Sequence, residues 1–322
     1  MSDNSEHVRN FILNRLKEEY NDLTEFSFCD DEESISEDID KMSALYDKIN
    51  VKCKDYTYDY TNAMANMKKN RYANILASDA TRYKLPNDVY INADVFSDGK
   101  YILSQGPMNC AMVDFLQMVW DNNTGMILCL TSQVENGIHK YDPYFVDSQI
   151  MVCGHFRVWV NMKQNNGSIN IRTLMLEKFD YETTYDVQGC VCVEKMQTLV
   201  RNITHIEYTE WSDNKKPNDI QVIWEMYACT RKYKHVHYDK IIIHCSAGVG
   251  RSGTVLVIFE LLDKVQKILD SMNPCLCYRF DIPKRIIKLR KIRQNLVNSV
   301  EQLEVCYLAT IEGIKKMLNI TY

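Results

Sequence analysis

Past Lys68 the chain alternates short β-rich apolar runs with turn residues, a pattern that predicts strands at Val89–Ala93, Gly125–Leu130, Gln149–Asn161, Ile169–Leu176, Val191–Glu194 and His205–Thr209. Apolar positions at helical spacing are interposed at Met112–Asp121, Pro217–Lys232 and Gly253–Leu269, and two further helices are predicted at Pro283–Gln294 and Val300–Leu318. Nearer the start, Val8, Phe11, Ile12, Leu16 and Tyr20 share one face of a helix. The acidic, Ser-containing stretch Cys29–Asp40 reads as a solvated loop leading into a helix at Glu37–Ile49. Strands succeeded by a run of helices predict an α/β fold, a mixed sheet with helices on both faces. No repeat, linker or low-complexity block divides the chain, so one domain is expected.

Composition narrows the class. The 322 residues are 46% hydrophobic, enough to bury a full core. A net charge of −5 with interleaved signs argues against nucleic acid as a partner. The longest apolar run, Thr254–Leu262, contains Glu260 and falls far short of a bilayer span, and the polar start has no signal-peptide order; a cytoplasmic protein without membrane insertion is expected. The 12 cysteines then read as reduced thiols. The close pairs Cys190/Cys192 and Cys275/Cys277 lack a second pair at finger-like spacing, so no metal or other cofactor is expected.

The chemistry concentrates between a strand-like run, Lys240-Ile-Ile-Ile-His244, and a helix-like one beginning at Ser252. Between them lies Cys245-Ser246-Ala247-Gly248-Val249-Gly250-Arg251. A small-residued, Gly-rich loop at a helix start turns successive backbone N–H groups inward and makes an anion site suited to phosphate. The same groups favour a thiolate at Cys245, the nucleophilic form of cysteine. Arg251 offers a planar fork that grips two phosphate oxygens and does so best as charge spreads over them during transfer. Rival readings are available. Gly248-x-Gly250-x-x-Gly253 also meets a dinucleotide-binding fingerprint, but so late in the chain it opens no βαβ series and leaves Cys245 and Arg251 without a task. No Walker Gly-Lys-Ser/Thr is present, and Cys245 alone would read as one more buried thiol.

The eleven residues His244–Thr254 resemble the unbroken signature loop of tyrosine-specific, cysteine-dependent protein phosphatases, and the likeness extends over roughly residues 65 to 318. The resemblance implies one catalytic domain over 51–322, a highly twisted mixed β-sheet flanked by α-helices, with residues 1–50 a helical extension packed on it. It implies Cys245 as nucleophile, Arg251 as phosphate clamp, His244 tuning the thiolate, Ser252 donating to it as a leaving group, and Ser246 to Gly250 cradling the phosphate. Trp211-Ser212-Asp213 stands where the family reads Trp-Pro-Asp, so Asp213 is implied as general acid and then base. Ser in place of Pro loosens that loop and is expected to slow the enzyme, and Lys215 and Lys216 are expected to place positive charge beside Asp213.

Lys69–Leu76 resembles the phosphotyrosine-recognition loop, in which Tyr72 would stack on the substrate ring and exclude phosphoserine. Glu135 matches the residue that braces the loop arginine, and Lys140 one that contacts the acid loop. Where the family reads Arg-x-Gly-x-x-Gln-Thr and a further Gln, this chain reads Arg293-Gln-Asn295-Leu-Val-Asn298-Ser, then Gln302. Asn298 thus replaces the glutamine that positions the hydrolytic water, with the same amide on a shorter arm, while Gln302 is retained.

Phosphotyrosyl proteins are the implied partners, with a monomer favoured and the oligomeric state left open. The alternative is a pseudophosphatase that holds and shields such proteins. A phosphoinositide phosphatase is disfavoured because the loop lacks extra lysines. In its abundance of Asn, Lys, Ile and Tyr the chain also resembles phosphatases encoded by parasitoid-wasp polydnaviruses, which implies an effector that damps signalling in a host cell.

Overall fold

The computed structural model describes residues 14, 18, 32–179, 181–185, 191–195, 198–233, 239–271 and 280–318, without the side chains of 32–40, 181–185 and 191–195. The expected helix over Val8–Tyr20 and the four paired cysteines lie outside these, apart from Asn14 and Glu18, which are helical, and the backbone of Cys192. The chain divides into two compact units, each described by itself: Tyr60–Thr209 with Lys232–Ala247, and Met1–Asp59 with Glu210–Arg231 and Gly248–Tyr322.

The first unit is built on a mixed sheet with, among the described residues, eight strands in the order Ala93–Phe96, Tyr101–Ser104, Lys240–His244, Thr124–Cys129, Leu199–Tyr208, Ile169–Lys178, Phe156–Asn166 and Met151–Cys153. The second to fifth run parallel to one another, and all other pairings are antiparallel. Parallel strands are covered on both faces, which is why Ile241-Ile-Ile and Met126-Ile-Leu are unbroken apolar runs, all buried. The helix Met112–Asp121 packs Phe115, Leu116, Met118 and Val119 into the same core as Ile102, Ile127 and Ile242. The hairpin strand Phe156–Asn166 alternates buried and half-buried positions at its start and is exposed from Asn161 on.

The sheet departs from the sequence reading in several places: the run Gln149–Asn161, read as one strand, is the antiparallel pair Met151–Cys153 and Phe156–Asn166, and the strand expected at His205–Thr209 begins at Leu199. The first strand begins at Ala93 rather than ending there, and Tyr101–Ser104 pairs with it across the turn Ser97–Lys100. Asp94, buried and accepting from Thr81 Oγ1 at 2.9 Å, breaks the apolar alternation that would have marked the strand.

A polar chain is sunk in this unit at the end of Lys240–His244. Tyr144 Oη lies 2.7 Å from His205 Nε2 and 2.9 Å from His244 Nε2, and His244 Nδ1 lies 3.3 Å from the Cys245 carbonyl. A carbonyl only accepts, so His244 carries its proton on Nδ1 and its Nε2 accepts from the tyrosine hydroxyl. The tyrosine oxygen then accepts from His205 Nε2–H. His205 Nδ1 is left as a bare lone pair, buried without a hydrogen-bond partner among the described residues, the less costly kind of orphan. Both rings are neutral: burial pushes His244 down to about 4 and, with Arg172 and His244 nearby, holds His205 well below 6.5.

The second unit is helical. Arg251–Ser271 and Val300–Leu318 pack so closely that a Cβ on Gly313 would meet Leu262 Cδ2 at 2.6 Å. The stretch read as an acidic loop is helical from Glu32, in one helix through Cys53 that packs on Ile282–Arg290 and Val300–Leu318. Acidic residues in a first turn are favoured by the helix dipole, so their presence did not mark a loop. Its anchor is Arg290, which is 4% exposed. The guanidinium donates to Asn50 Oδ1 at 2.7 Å, to the Leu296 carbonyl at 2.9 Å and to the Val297 carbonyl at 2.8 Å, and it faces the Tyr46 ring. The Arg290 carbonyl accepts from the Tyr58 hydroxyl.

Arg290→Ala leaves two buried carbonyls and the Asn50 amide oxygen without their donor, and the expected loss is about 3 kcal/mol or more, read as a lower urea midpoint. The neutral histidines set a pH dependence. For His244 the folded state resists protonation while the unfolded chain takes a proton near 6.5, so this contribution is complete above 6.5 and is lost as pH falls to about 4. Its size is ~3 kcal/mol. His244→Asn, whose amide can replace Nδ1–H, is expected to flatten the fall in urea midpoint over that window.

Candidate active site

The loop that follows Lys240–His244 is shaped by what its carbonyls touch. In a trans peptide the C=O of one residue and the N–H of the next point opposite ways. In the first unit the Cys245 carbonyl is faced by His244 Nδ1, and the Ser246 carbonyl accepts from Gly106 N at 2.8 Å, so the amides of Ser246 and Ala247 are turned the other way. Gly106 is required for that contact: a Cβ there would stand 2.3 Å from the Lys140 carbonyl oxygen and 2.8 Å from that of Cys245.

In the second unit the Gly248 carbonyl accepts from Arg293 Nε at 2.9 Å, that of Val249 from Gly253 N and Val297 N, both at 3.1 Å, and that of Gly250 from Thr254 N at 2.9 Å and Thr254 Oγ1 at 3.0 Å. The amides of Val249, Gly250 and Arg251 therefore face opposite to these partners. Gly248 sits at φ +71°, open to glycine without strain. A row of oriented amides at the start of the helix Arg251–Ser271 is an anion cradle, with the helix dipole behind it.

Around the first half of the loop, Tyr72 Oη lies 2.8 Å from Ser246 Oγ, and Ser246 Oγ donates to the Lys140 carbonyl at 3.2 Å. Lys140 is buried, with Nζ 3.6 Å from Glu135 Oε2, and Glu135 Oε1 accepts from Thr131 Oγ1. Arg71 donates to the Pro107 carbonyl at 2.9 Å and so fixes the segment carrying Tyr72. Cys245 is 3% exposed.

Around the second half, the fully buried Arg251 donates from Nη1 to the Trp211 carbonyl at 2.7 Å, and its Nη2 lies 3.7 Å from Asp213 Oδ1. Trp211 is fully buried and its indole N–H donates to the Lys215 carbonyl at 2.7 Å, tying the segment into a turn that presents Asp213 to solvent. Ser252 is buried, with no partner for Oγ among the described residues. Gln302 Oε1 accepts from Asn298 N at 2.7 Å, and a Cβ on Gly250 would meet Gln302 Nε2 at 2.8 Å, so Gln302 lies directly against the cradle. Asn298 is exposed and its amide reaches Asn214 Oδ1 at 3.4 Å. The lysines expected beside Asp213 turn instead to Glu301 and Glu304.

Several residues that shape the loop were not singled out by the sequence. Arg293 braces Gly248, Tyr144 and His205 set the His244 tautomer, and Val297 donates to Val249 from a left-handed φ of +59°, a strained backbone for a β-branched residue. Asn295, where the resemblance expects glycine, also takes a left-handed φ of +63°, which Asn tolerates best after glycine. A buried arginine is a signal only once its burial is known.

A family model described as protein-tyrosine phosphatase matches residues 66–312, a span that runs through segments of both compact units. Tyrosine-protein phosphatase 2 of Dictyostelium discoideum is 30% identical over 230 residues, covering 71% of this chain and 56% of that protein. Human tyrosine-protein phosphatase non-receptor type 13 is 33% identical over 254 residues, 75% of this chain but only 9% of that protein. The chain thus spans 56% or less of the length of these relatives. Among solved structures, the catalytic domain of human protein tyrosine phosphatase non-receptor type 18 matches with a TM-score of 0.71 at 23% identity, covering 88% of this chain and 100% of that one, a likeness of fold. The same protein has also been solved with phosphopeptides, as PTPN18 in complex with HER2-pY1248 phosphor-peptides, with a TM-score of 0.70 at 22% identity over 84% of this chain and 99% of that one. Taken with the motif His244–Thr254, the extent of the family match establishes that this chain belongs to the protein-tyrosine phosphatase family.

Proposed function

We propose that the chain hydrolyses phosphotyrosine in proteins through a phosphocysteine intermediate at Cys245. The observation that carries this reading is the loop whose carbonyls are taken up by Gly106, Arg293, Val297 and Thr254, beginning with a cysteine and ending in an arginine placed 3.7 Å from Asp213. Cys245 Sγ attacks phosphorus as the P–O bond to tyrosine breaks, and Asp213 gives its proton to the departing phenolic oxygen. Charge on the transferring group is met by the amides of 246–251 and the Arg251 fork. In the second step Asp213 takes a proton from water as the water oxygen bonds to phosphorus. The P–S bond breaks, inorganic phosphate leaves, and Ser252 donates to the returning thiolate.

By family analogy Tyr72 stacks on the substrate ring and Gln302 serves the water. We place this activity in a monomer, and in the cytoplasm in keeping with relatives named as non-receptor phosphatases; among the described residues no helix is long and apolar enough to cross a membrane. The bound phosphopeptides of the type 18 phosphatase support phosphotyrosyl proteins as partners. A role as a viral effector damping host signalling rests on compositional resemblance alone.

A second reading, a phosphotyrosine-binding pseudoenzyme, is favoured by one observation: the Asn298 amide is spent on Asn214. Turnover of a phosphotyrosyl peptide and its phosphoseryl counterpart, with a chelator present, separates the two. The enzyme reading expects turnover of the first alone, abolished in Cys245→Ser and reduced about 10²- to 10⁴-fold in Asp213→Ala. Retained peptide binding without turnover would select the pseudoenzyme.

A further inference from the structure

The segment Glu210–Asn218 is closed at its base by Asn218 N donating to the Glu210 carbonyl at 3.3 Å and internally by Lys215 N donating to Ser212 at 3.2 Å. With Ser212 where the family has proline, these bonds and the Trp211 indole are its internal stiffening. Its outer edge is tied elsewhere. Asn214, at a left-handed φ of +57°, accepts from Ser299 Oγ at 3.0 Å through its carbonyl and from Asn298 Nδ2 at 3.4 Å through its side chain. Lys216 Nζ pairs with Glu304 Oε1, and Lys215 Nζ lies 3.8 Å from Glu301 Oε1. Glu301 and Glu304 are three residues apart at the start of Val300–Leu318 and so lie on one helix face. Glu304 is 15% exposed, whereas Lys215 is 69% exposed, so Lys216–Glu304 is the stronger of the two pairs.

We propose that Lys216 and Asn214 are positioning residues, latching the acid-bearing segment to Asn298, Ser299 and Glu304 and so holding Asp213 beside Arg251. The inference rests on the reading of Asp213 as general acid. The latch replaces with intersegment bonds the stiffness that proline would supply within the segment.

The test compares the wild-type chain with Lys216→Ala, Lys216→Arg and the charge exchange Lys216→Glu with Glu304→Lys. Two readouts are used: turnover of phosphotyrosyl peptide against an ester with an acidic leaving group such as p-nitrophenyl phosphate, and hydrogen exchange of the amides in 210–218. A poor leaving group needs the proton from Asp213 and a good one does not. Lys216→Ala is therefore expected to lose up to about fivefold in kcat/KM on the peptide, a ratio that reports the first step and not the hydrolysis both substrates share, with little change on the nitrophenyl ester, and to exchange faster at 210–218. Lys216→Arg and the charge exchange restore both. Unchanged exchange and an unchanged ratio between the two substrates, equal loss on both, or failure of the exchange to restore would overturn the latch. If the wild type turns over neither ester, the enzymatic reading fails by itself, and hydrogen exchange still decides whether the latch exists.

Discussion

The loop 245–251 depends on where its carbonyl groups go. Each carbonyl taken up by a donor elsewhere in its unit turns the following amide the opposite way, and it is those amides that make an anion site. The donors are unlike one another: the backbone of Gly106, a buried guanidinium from Arg293, the strained amide of Val297 and the first turn of the helix that the loop leads into. Glycines at 248 and 250 follow from this rather than from flexibility for its own sake. The first takes a left-handed backbone, and the second leaves room for Gln302.

The neighbouring charges follow the same logic of commitment. Arg251 is fully buried, and a buried guanidinium needs partners for its fork; the Trp211 carbonyl and the Asp213 carboxylate bring the acid segment to it. His244 is kept neutral by burial, so the proton it donates to the Cys245 carbonyl stays in place across the physiological range.

How much of this could be read from the sequence divides along a physical line. His244–Thr254 was legible because strand, turn and helix start are adjacent in the chain, and local chemistry explains each residue type. The helices Met112–Asp121 and Val300–Leu318 were legible from their apolar spacing, and their bounds match. The hairpin Ala93–Ser104 was not, because its strands are four residues long and Asp94 is satisfied by a partner thirteen residues away. Nor could the pairing of Lys216 with Glu304 be seen, eighty-eight residues apart, so that Lys215 and Lys216 were read against their nearest neighbour in sequence. Periodicity reports a residue's face, not the partner across it.

The steric demand at Gly106 has an evolutionary side. Nothing about this residue is catalytic, and it lies far from the signature loop in sequence, yet there is no room at its α-carbon for even a methyl group between the Lys140 and Cys245 carbonyls. A lineage could preserve all eleven letters of His244–Thr254 and still lose the cradle through one change there. A count of enzymes in a gene family by its signature motif alone is blind to such a change.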